Sequence, residues 1–406
     1  MTSEPERVLA RALGLLAPTV TVVVAAEFIV VGLLPLIASD LSIPLAQAGG
    51  LAGWFAFSAA VAGPIVTLIA SRASPRAMLT ATLLLFAACN GAMAVGSGFV
   101  PMLAARLLQG AVLPAFISVG ASVVTRLAPP SALGKGLARA NIGFVLGVLI
   151  ALPVGVALAE GGSWRLPFAV LATLSLALVP LVAIYFPKVP QGVPTAIGGQ
   201  IALLRKSHFL AHLTLSVILF AAMFAAYTYL GAWVERNFEL PPLGIALVLF
   251  LFCGAGLAGN LIAERFADRA PLRATMVAIL VLVAAVNVTA LGGNVLVLAA
   301  LPLALWSISH TASVVLSQVR VTLAGREAPA FAMTMNISAA NLGIAIGTFA
   351  GGHVLDALGM GAIGLVPLIF AVPALFLVVG IGRAHLRFVE RHVPINLSKV
   401  QERSPL

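Results

Sequence analysis

Apolar residues run along this chain in long, nearly uncharged stretches, separated by short segments that hold most of its Lys, Arg, Asp and Glu. A helix crossing a hydrocarbon core of about 30 Å needs about 20 mostly apolar residues, and in lipid only a helix satisfies its own backbone along one segment. Twelve runs meet that length: 14–37, 48–70, 78–97, 100–124, 140–159, 166–187, 209–232, 243–263, 274–292, 295–318, 330–351 and 361–382. The pattern therefore predicts twelve spanning helices. Their internal Gly and Pro fit this reading, because neighbouring helices re-satisfy a broken backbone and small residues allow close approach. The first run is too long for the apolar region of a secretory signal, and Glu27 interrupts it. The longest interior connection, 188–208, parts six runs from six. The expected organisation is a first six-helix bundle over 1–187, a cytoplasmic linker over 188–208, a second six-helix bundle over 209–382 and a tail over 383–406.

Composition excludes a soluble reading. Of 406 residues, 61% are hydrophobic and 9% charged, against about 25% charge in soluble chains. The mean hydropathy of +1.12 leaves no half that could fold alone in water. The net charge of +10 invites a nucleic-acid partner, but its placement argues for topology instead. Of 23 Lys and Arg, twenty fall in the amino terminus, the alternate loops and the tail, Arg165 and Arg236 fall in the other loops, and Arg106 lies inside a run. Such residues are retained on the cytoplasmic side. Both termini are therefore expected in the cytoplasm, with no nucleic-acid partner. The tail from Arg383 to Lys399 could lie on anionic lipid as a basic amphipathic helix or simply be solvated. Cys89 and Cys253 sit in apolar runs and imply neither a disulfide framework nor a cysteine metal site.

The halves repeat one another. Ala140-Asn141-Ile142-Gly143, with Gly147 beyond it, recurs as Ala340-Asn341-Leu342-Gly343 with Gly347, and Ala25-Ala26-Glu27 faces Ala225-Ala226-Tyr227 at the same shift of 200. The loop holding Arg72, Pro75 and Arg76 is echoed by one holding Arg269, Pro271 and Arg273. Two duplicated halves form a cavity at their interface, where transporters place substrate near the bilayer midplane.

Several motifs in order make the likeness specific. They are Glu27-x4-Gly32-x-Leu34-Pro35 in the first run, Arg106-x2-Gln109-Gly110 in the fourth, and Gly143-x3-Gly147-x5-Pro153-x-Gly155 in the fifth. Trp164-Arg165-x2-Phe168 precedes the sixth, Gly259-Asn260 and Ala267-Asp268-Arg269 close the eighth, and Asn336-x4-Asn341-x-Gly343-x3-Gly347-x3-Gly351-Gly352 fills the eleventh. Over 12–382 the chain resembles a twelve-span major facilitator superfamily permease, near the drug:proton antiporters and the arabinose and purine-nucleoside efflux permeases. Ser71 stands where that family usually has an acid, Thr67 and Glu264 where it usually has Gly, and Ala151 where a Gly commonly precedes the Pro motif. The resemblance implies an all-α membrane protein of the major facilitator fold, with twelve transmembrane helices in two pseudo-symmetric six-helix bundles, in a bacterial cell (inner) membrane. It also suggests a monomer.

Within the twelve runs only Glu27 and Arg106 are formally charged. Burying a charge near the bilayer centre costs at least about 2.5–3.5 kcal/mol on insertion scales, so Glu27 is expected to face a cavity and to exchange a proton there. The resemblance assigns Arg106 a part in that transfer; on its own chemistry it could equally bond backbone carbonyls and staple helices. Gln109, Tyr227, Trp306, His310, Asn336 and Asn341 are candidates to line the substrate cavity, each with a helix-to-helix hydrogen bond as the plainer alternative. Tyr229 and Trp233, near a span end, fit an interfacial belt better. Gly143, Gly147, Gly155, Gly343, Gly347 and Gly351, spaced four or eight apart, line single helix faces for close packing. The resemblance places those faces, with Pro153, at the moving outer contact between halves. It also makes Arg72, Asp268 and Arg269 gating residues at the cytoplasmic ends. His208 and His212 have helical spacing without a third ligand, so no metal is expected.

No phosphate-cradling loop or nucleophile elbow is present, so ATP and hydrolysis are not expected. No cofactor is implied, and the chain is not read as an enzyme. The expected function is proton-coupled efflux of a small organic solute, with protons, that solute and the lipid bilayer as partners. The rivals are a proton-independent facilitator of sugars or nucleosides, a non-transporting membrane sensor, and, more remotely, a membrane enzyme.

Overall fold

The structure, a computed structural model, describes residues 4–392 except 71, 129–132, 161–162, 190–201, 268 and 292–294. Its helices are α1 (Glu4–Asp40), α2 (Leu45–Ala70), α3 (Pro75–Val95), α4 (Phe99–Leu127), α5 (Leu133–Ala159), α6 (Arg165–Tyr185), α7 (Ser207–Tyr227), α8 (Leu230–Phe238), α9 (Pro242–Ala267), α10 (Pro271–Leu291), α11 (Leu296–Ala324), α12 (Pro329–Leu358) and α13 (Leu365–His392). Among the described residues, 12 helical spans are long and apolar enough to cross a membrane, α7 and α8 together making the seventh. Four helices start on proline (α3, α9, α10 and α12), where the missing N–H is one the first turn leaves unpaired anyway. At α3 the Ser74 hydroxyl also accepts the Ala77 amide at 3.2 Å. Most of the expected linker and the end of the expected tail lie outside the described residues.

Helix pairing follows the internal repeat. α1 packs on α5, α2 on α4 and α3 on α6; in the second bundle α7 packs on α12, α9 on α11 and α10 on α13. Between the bundles, α2 meets α12 and α5 meets α9. The glycines explain the closest seams. Gly143 lies over the Ala17 carbonyl and Gly147 over that of Thr21; at a shift of 200, Gly343 lies over the Val217 carbonyl and Gly347 over that of Ala221. Lipid tails are as apolar as leucine, so this close packing, rather than hydrophobicity, holds such helices together. These seams run inside each bundle. Gly143, Gly147, Gly155, Gly343 and Gly347 therefore do not form the moving contact between bundles that was expected of them, because the residues opposite them belong to α1 and α7 of their own half. Pro153 is buried inside α5, the partner of α1 in that same seam.

The end of the molecule that carries Arg72, Arg126, Arg265, Arg269 and Arg326 is here called the basic end. At the opposite end the bundles touch. Tyr229, 1% exposed, donates its hydroxyl to the Thr348 carbonyl at 3.1 Å and presses against Gly49 and Gly352. The Trp54 and Phe349 rings meet at 5.3 Å, beside Gly53, and Gly231 rests on the main chain of Val31 and Gly32. Tyr229 and Trp233 are both buried rather than interfacial. The physical reason is local: the Thr228 hydroxyl bonds back to the Phe224 carbonyl at 2.8 Å and reaches Thr348 at 2.8 Å, the helix breaks, and α8 turns these rings inward. At the basic end Lys206 holds Glu327 at 2.5 Å. That hydrogen bond keeps the Glu327 carboxyl below the usual carboxylate range, so the pair is intact at neutral pH and is lost only as the pH falls below that range, through the lowered pKa. Both partners are solvated, so it contributes little to stability.

Candidate functional site

A cavity of about 350 Å³ lies between the bundles, within the size range of small-molecule sites. Its walls come from α1, α4 and α5 on one side and α7, α9, α11 and α12 on the other. The lining runs from helix middles toward the basic end, where exposed Asn141 and Glu264 form the mouth. With the opposite end closed by Tyr229, Trp54 and Phe349, the cavity opens toward the basic side.

Glu27 lines this space. Among the described residues its carboxylate has neither a hydrogen bond nor an ion partner; the ion pairs are Arg165–Asp40 and Lys206–Glu327. Arg106 sits behind it, 1% exposed, and turns its donors to main-chain oxygens: Nη2 to Glu27 at 2.8 Å, Nη1 to Ala26 at 2.8 Å and Nε to Leu51 at 3.2 Å. Gln109 Oε1 accepts from Nη1 at 3.3 Å, Gln109 Nε2 donates to Asn90 at 3.1 Å, and the guanidinium lies 4.2 Å over the Phe55 ring. Arg106 thus ties α1, α2 and α4 together and holds the peptide from which Glu27 projects. Hydrogen bonds to a charged group stabilise by about 1.5–3 kcal/mol each in water-soluble proteins and less in lipid, where the unfolded chain also finds partners. Arg106→Ala is expected to cost about 2 kcal/mol in all. A clear fall in detergent Tm would register it, whereas an unchanged Tm would remove the stapling account.

Of the cavity candidates, Tyr227, His310, Asn336 and Asn341 line the space and Gln109 and Trp306 do not. Gln109 is committed to Arg106 and Asn90, and Trp306 meets Phe252 edge-on at 5.5 Å. Asn336 bridges helices: its Oδ1 accepts from Ser216 at 2.8 Å and its Nδ2 donates to Ser317 at 3.3 Å. The Tyr227 and His310 rings meet at 4.7 Å with a tilt of 34°, and Phe28 and Phe224 close round them at 6.4 Å from each other. Among the gating candidates, Arg72 and Arg269 are exposed at the basic end, and Asp268 lies outside the described residues. Gly351 packs on the Ala225 carbonyl and on the ring of Tyr229, so it supports the closed end from within its own bundle.

Other functional positions escaped the sequence reading. Phe28, Phe224 and Phe252 are ordinary apolar residues of a membrane chain, and nothing in sequence separates a cavity-facing Phe from a lipid-facing one. Gly49, Gly53 and Gly231, which permit closure, lie outside the repeated motifs of the sequence. Arg320, counted as a loop charge, lies inside α11 at 1% exposure, because that helix continues to Ala324. Its Nη1 is 3.4 Å from His212 Nδ1, while Nε and Nη2 have no partner.

Comparison with known proteins is consistent along the chain. The Major Facilitator Superfamily profile matches residues 16–326. The inner membrane transport protein YdhP of Escherichia coli (strain K12) is 29% identical over 354 residues, covering 86% of this chain and 89% of that protein. A chloramphenicol resistance protein of Streptomyces lividans is 30% identical over 273 residues, covering 66% of this chain and 69% of that one. A solved bacterial homolog of the human lysosomal transporter Spinster superposes with a TM-score of 0.79 at 15% identity, covering 95% of this chain and 99% of that one.

Proposed function

The chain belongs to the Major Facilitator Superfamily and is a multi-pass membrane transporter of a small organic solute, and we propose that it exports that solute in exchange for protons. The observation that carries the proposal is the Glu27 carboxylate, deep on the cavity wall and without a hydrogen-bond partner among the described residues, with its neighbouring cation committed to carbonyl oxygens. A carboxyl that water can reach from one mouth at a time can load a proton on one side and release it on the other. By the preference of Lys and Arg for the inner leaflet, the basic end is the cytoplasmic side, and this state is inward-open. The bundles then rock about the cavity, parting at Tyr229 and Gly49 as the basic mouth closes. Export accords with the role of the Streptomyces lividans relative in chloramphenicol resistance.

The test is reconstitution. A thermal-shift screen over antibiotics, sugars and nucleosides selects a solute, and proteoliposomes with an imposed pH difference then report its flux and the lumen pH together. Coupled exchange predicts that solute and proton fluxes run in opposite senses. A solute flux that leaves lumen pH untouched would instead establish the proton-independent facilitator.

A further inference from the structure

We infer that Arg320, with His212 and His208 beside it, forms an oxyanion site at the basic end of the second bundle that takes a phosphate group, carried by a lipid or free in solution. The site is separate from the transport cavity. Gln318 lines that cavity, whereas Arg320, two residues on and so about 200° round the same helix, does not. α11 runs for 29 residues to Ala324, about 43 Å at 1.5 Å per residue against a hydrocarbon core of about 30 Å. Arg320 stands one turn short of that end, so its backbone lies near the level of lipid head groups rather than at the bilayer centre.

Two arginines are buried to 1% exposure in this chain's helices, and they spend their donors differently. Arg106 gives its N–H groups to the Leu51, Ala26 and Glu27 carbonyls. In Arg320 only Nη1 is engaged, 3.4 Å from His212 Nδ1, which accepts there because a guanidinium only donates. Nε and Nη2 are shielded from solvent and have no hydrogen-bond partner. These two nitrogens share one edge of the guanidinium plane and donate in parallel, the fork that fits two oxygens of one phosphate. Among the described residues no Asp or Glu pairs with Arg320, and Glu327, the nearest acid along the chain, is held by Lys206 at 2.5 Å. Buried charges are paired because isolating one is so costly, so an oxyanion on the open fork is strongly favoured.

The surroundings suit an anion that arrives from the basic end. The His208 ring meets the buried His212 ring edge-on at 4.7 Å, and His208 itself is exposed, so the two imidazoles mark a line from the surface to Arg320. Exposed side chains change rotamer within nanoseconds, which lets His208 swing aside. The turn that leads into α7 carries Arg205 and Lys206 and rests on the end of α11, where Gly325 packs against Leu203 and the Phe209 ring. Glu327 offsets Lys206, and exposed Arg205 and Arg326 leave the approach positive, which draws anions in. Basic pockets between helices at this level suit lipid phosphates.

The test follows thermal unfolding of the full chain, delipidated in neutral detergent, against inorganic phosphate, against dihexanoyl phosphatidylglycerol, and against sodium chloride at matched ionic strength. Tm should rise and saturate with at least one of the two phosphate probes and not with chloride. The probe with the lower midpoint identifies the source, and a lipid source also predicts an anionic phospholipid that native mass spectrometry finds on the unmodified protein and not on Arg320→Gln. Arg320→Gln should abolish the saturable rise. Arg320→Lys keeps the charge but not the fork, and should move the midpoint by about tenfold or more. A rise that grows linearly and is shared by Arg320→Gln is a general salt effect and overturns the site. No rise with either probe overturns it as well, and an unmoved midpoint in Arg320→Lys removes the fork. If Arg320→Gln does not fold, Arg320→Lys and the chloride comparison on the unmodified protein decide the same points.

Discussion

Glu27→Gln should reduce gradient-driven accumulation of the solute to none while leaving its passive exchange intact. A pH difference of about one unit stores about 1.4 kcal/mol, so one-for-one exchange at zero membrane potential sustains at most about tenfold accumulation. A glutamine keeps the size and hydrogen-bonding reach of the side chain but cannot carry a proton across. The stored energy then has no route to the solute, and the concentration ratio falls to one. Counterflow, in which labelled solute exchanges for unlabelled without a gradient, needs only that the bundles rock, and it should continue. The two assays on one preparation separate uncoupling from misfolding. Accumulation that persists in the glutamine variant would remove Glu27 from the coupling step, and counterflow lost along with accumulation would move it into the transport path itself. Arg106 stays positioned by its carbonyl bonds in either case, because they reach the Glu27 peptide rather than its carboxylate.

Gly49→Leu should trap the protein with its outer end parted, whereas Gly147→Leu should weaken the fold without shifting that balance. A β-carbon at Gly49 would lie 2.5 Å from the Tyr229 hydroxyl oxygen and 2.7 Å from its ring. The ring cannot retreat, because its own bundle holds it at the Thr348 carbonyl and against Gly352. Overpacking of this kind costs about 1–3 kcal/mol. The cost falls only on the state in which the bundles meet at that end, so the equilibrium shifts away from it by about five- to 150-fold. At Gly147 a β-carbon would lie 2.8 Å from Val24 Cβ and 2.9 Å from the Thr21 carbonyl, inside the α1–α5 seam. That seam stays packed in both states, so the penalty appears as a lower Tm. Asn141→Cys at the mouth supplies the readout, through labelling by an impermeant thiol reagent from the basic side. Labelling should fall sharply with Gly49→Leu and hold with Gly147→Leu. Equal labelling in both variants would mean that Tyr229 and Gly49 do not form a conformation-dependent contact.

The two glycines share a residue type, and only their neighbours give them different roles. Sequence spacing identified Gly147 because its seam is internal, repeated at a shift of 200 and built on the four-residue helical period. Gly49 belongs to no repeat, since the contact it permits joins unlike helices, α2 with the turn into α8. The acids divide in the same way. Glu27 stood out because it interrupts an apolar run, while Glu264 sits one residue past the end of another and reads like any loop charge until the cavity mouth is located. Arg320 was misplaced for a related reason: hydropathy ended its run at residue 318, and the helix continues two turns further into a buried setting.

Hydropathy measures transfer out of water, and by that measure twelve spans, a duplicated architecture and a single acid deep in the first helix were determined by the amino-acid order alone. The same measure assigns equal value to lipid tails, a neighbouring helix and the wall of an apolar cavity. Which face of each helix meets which of these depends on shape and on where individual donors find acceptors. The assembled bundles therefore decided that Arg106 turns to carbonyls, that Tyr227, His310 and Asn341 share a space with Glu27, and that Tyr229 closes the far end.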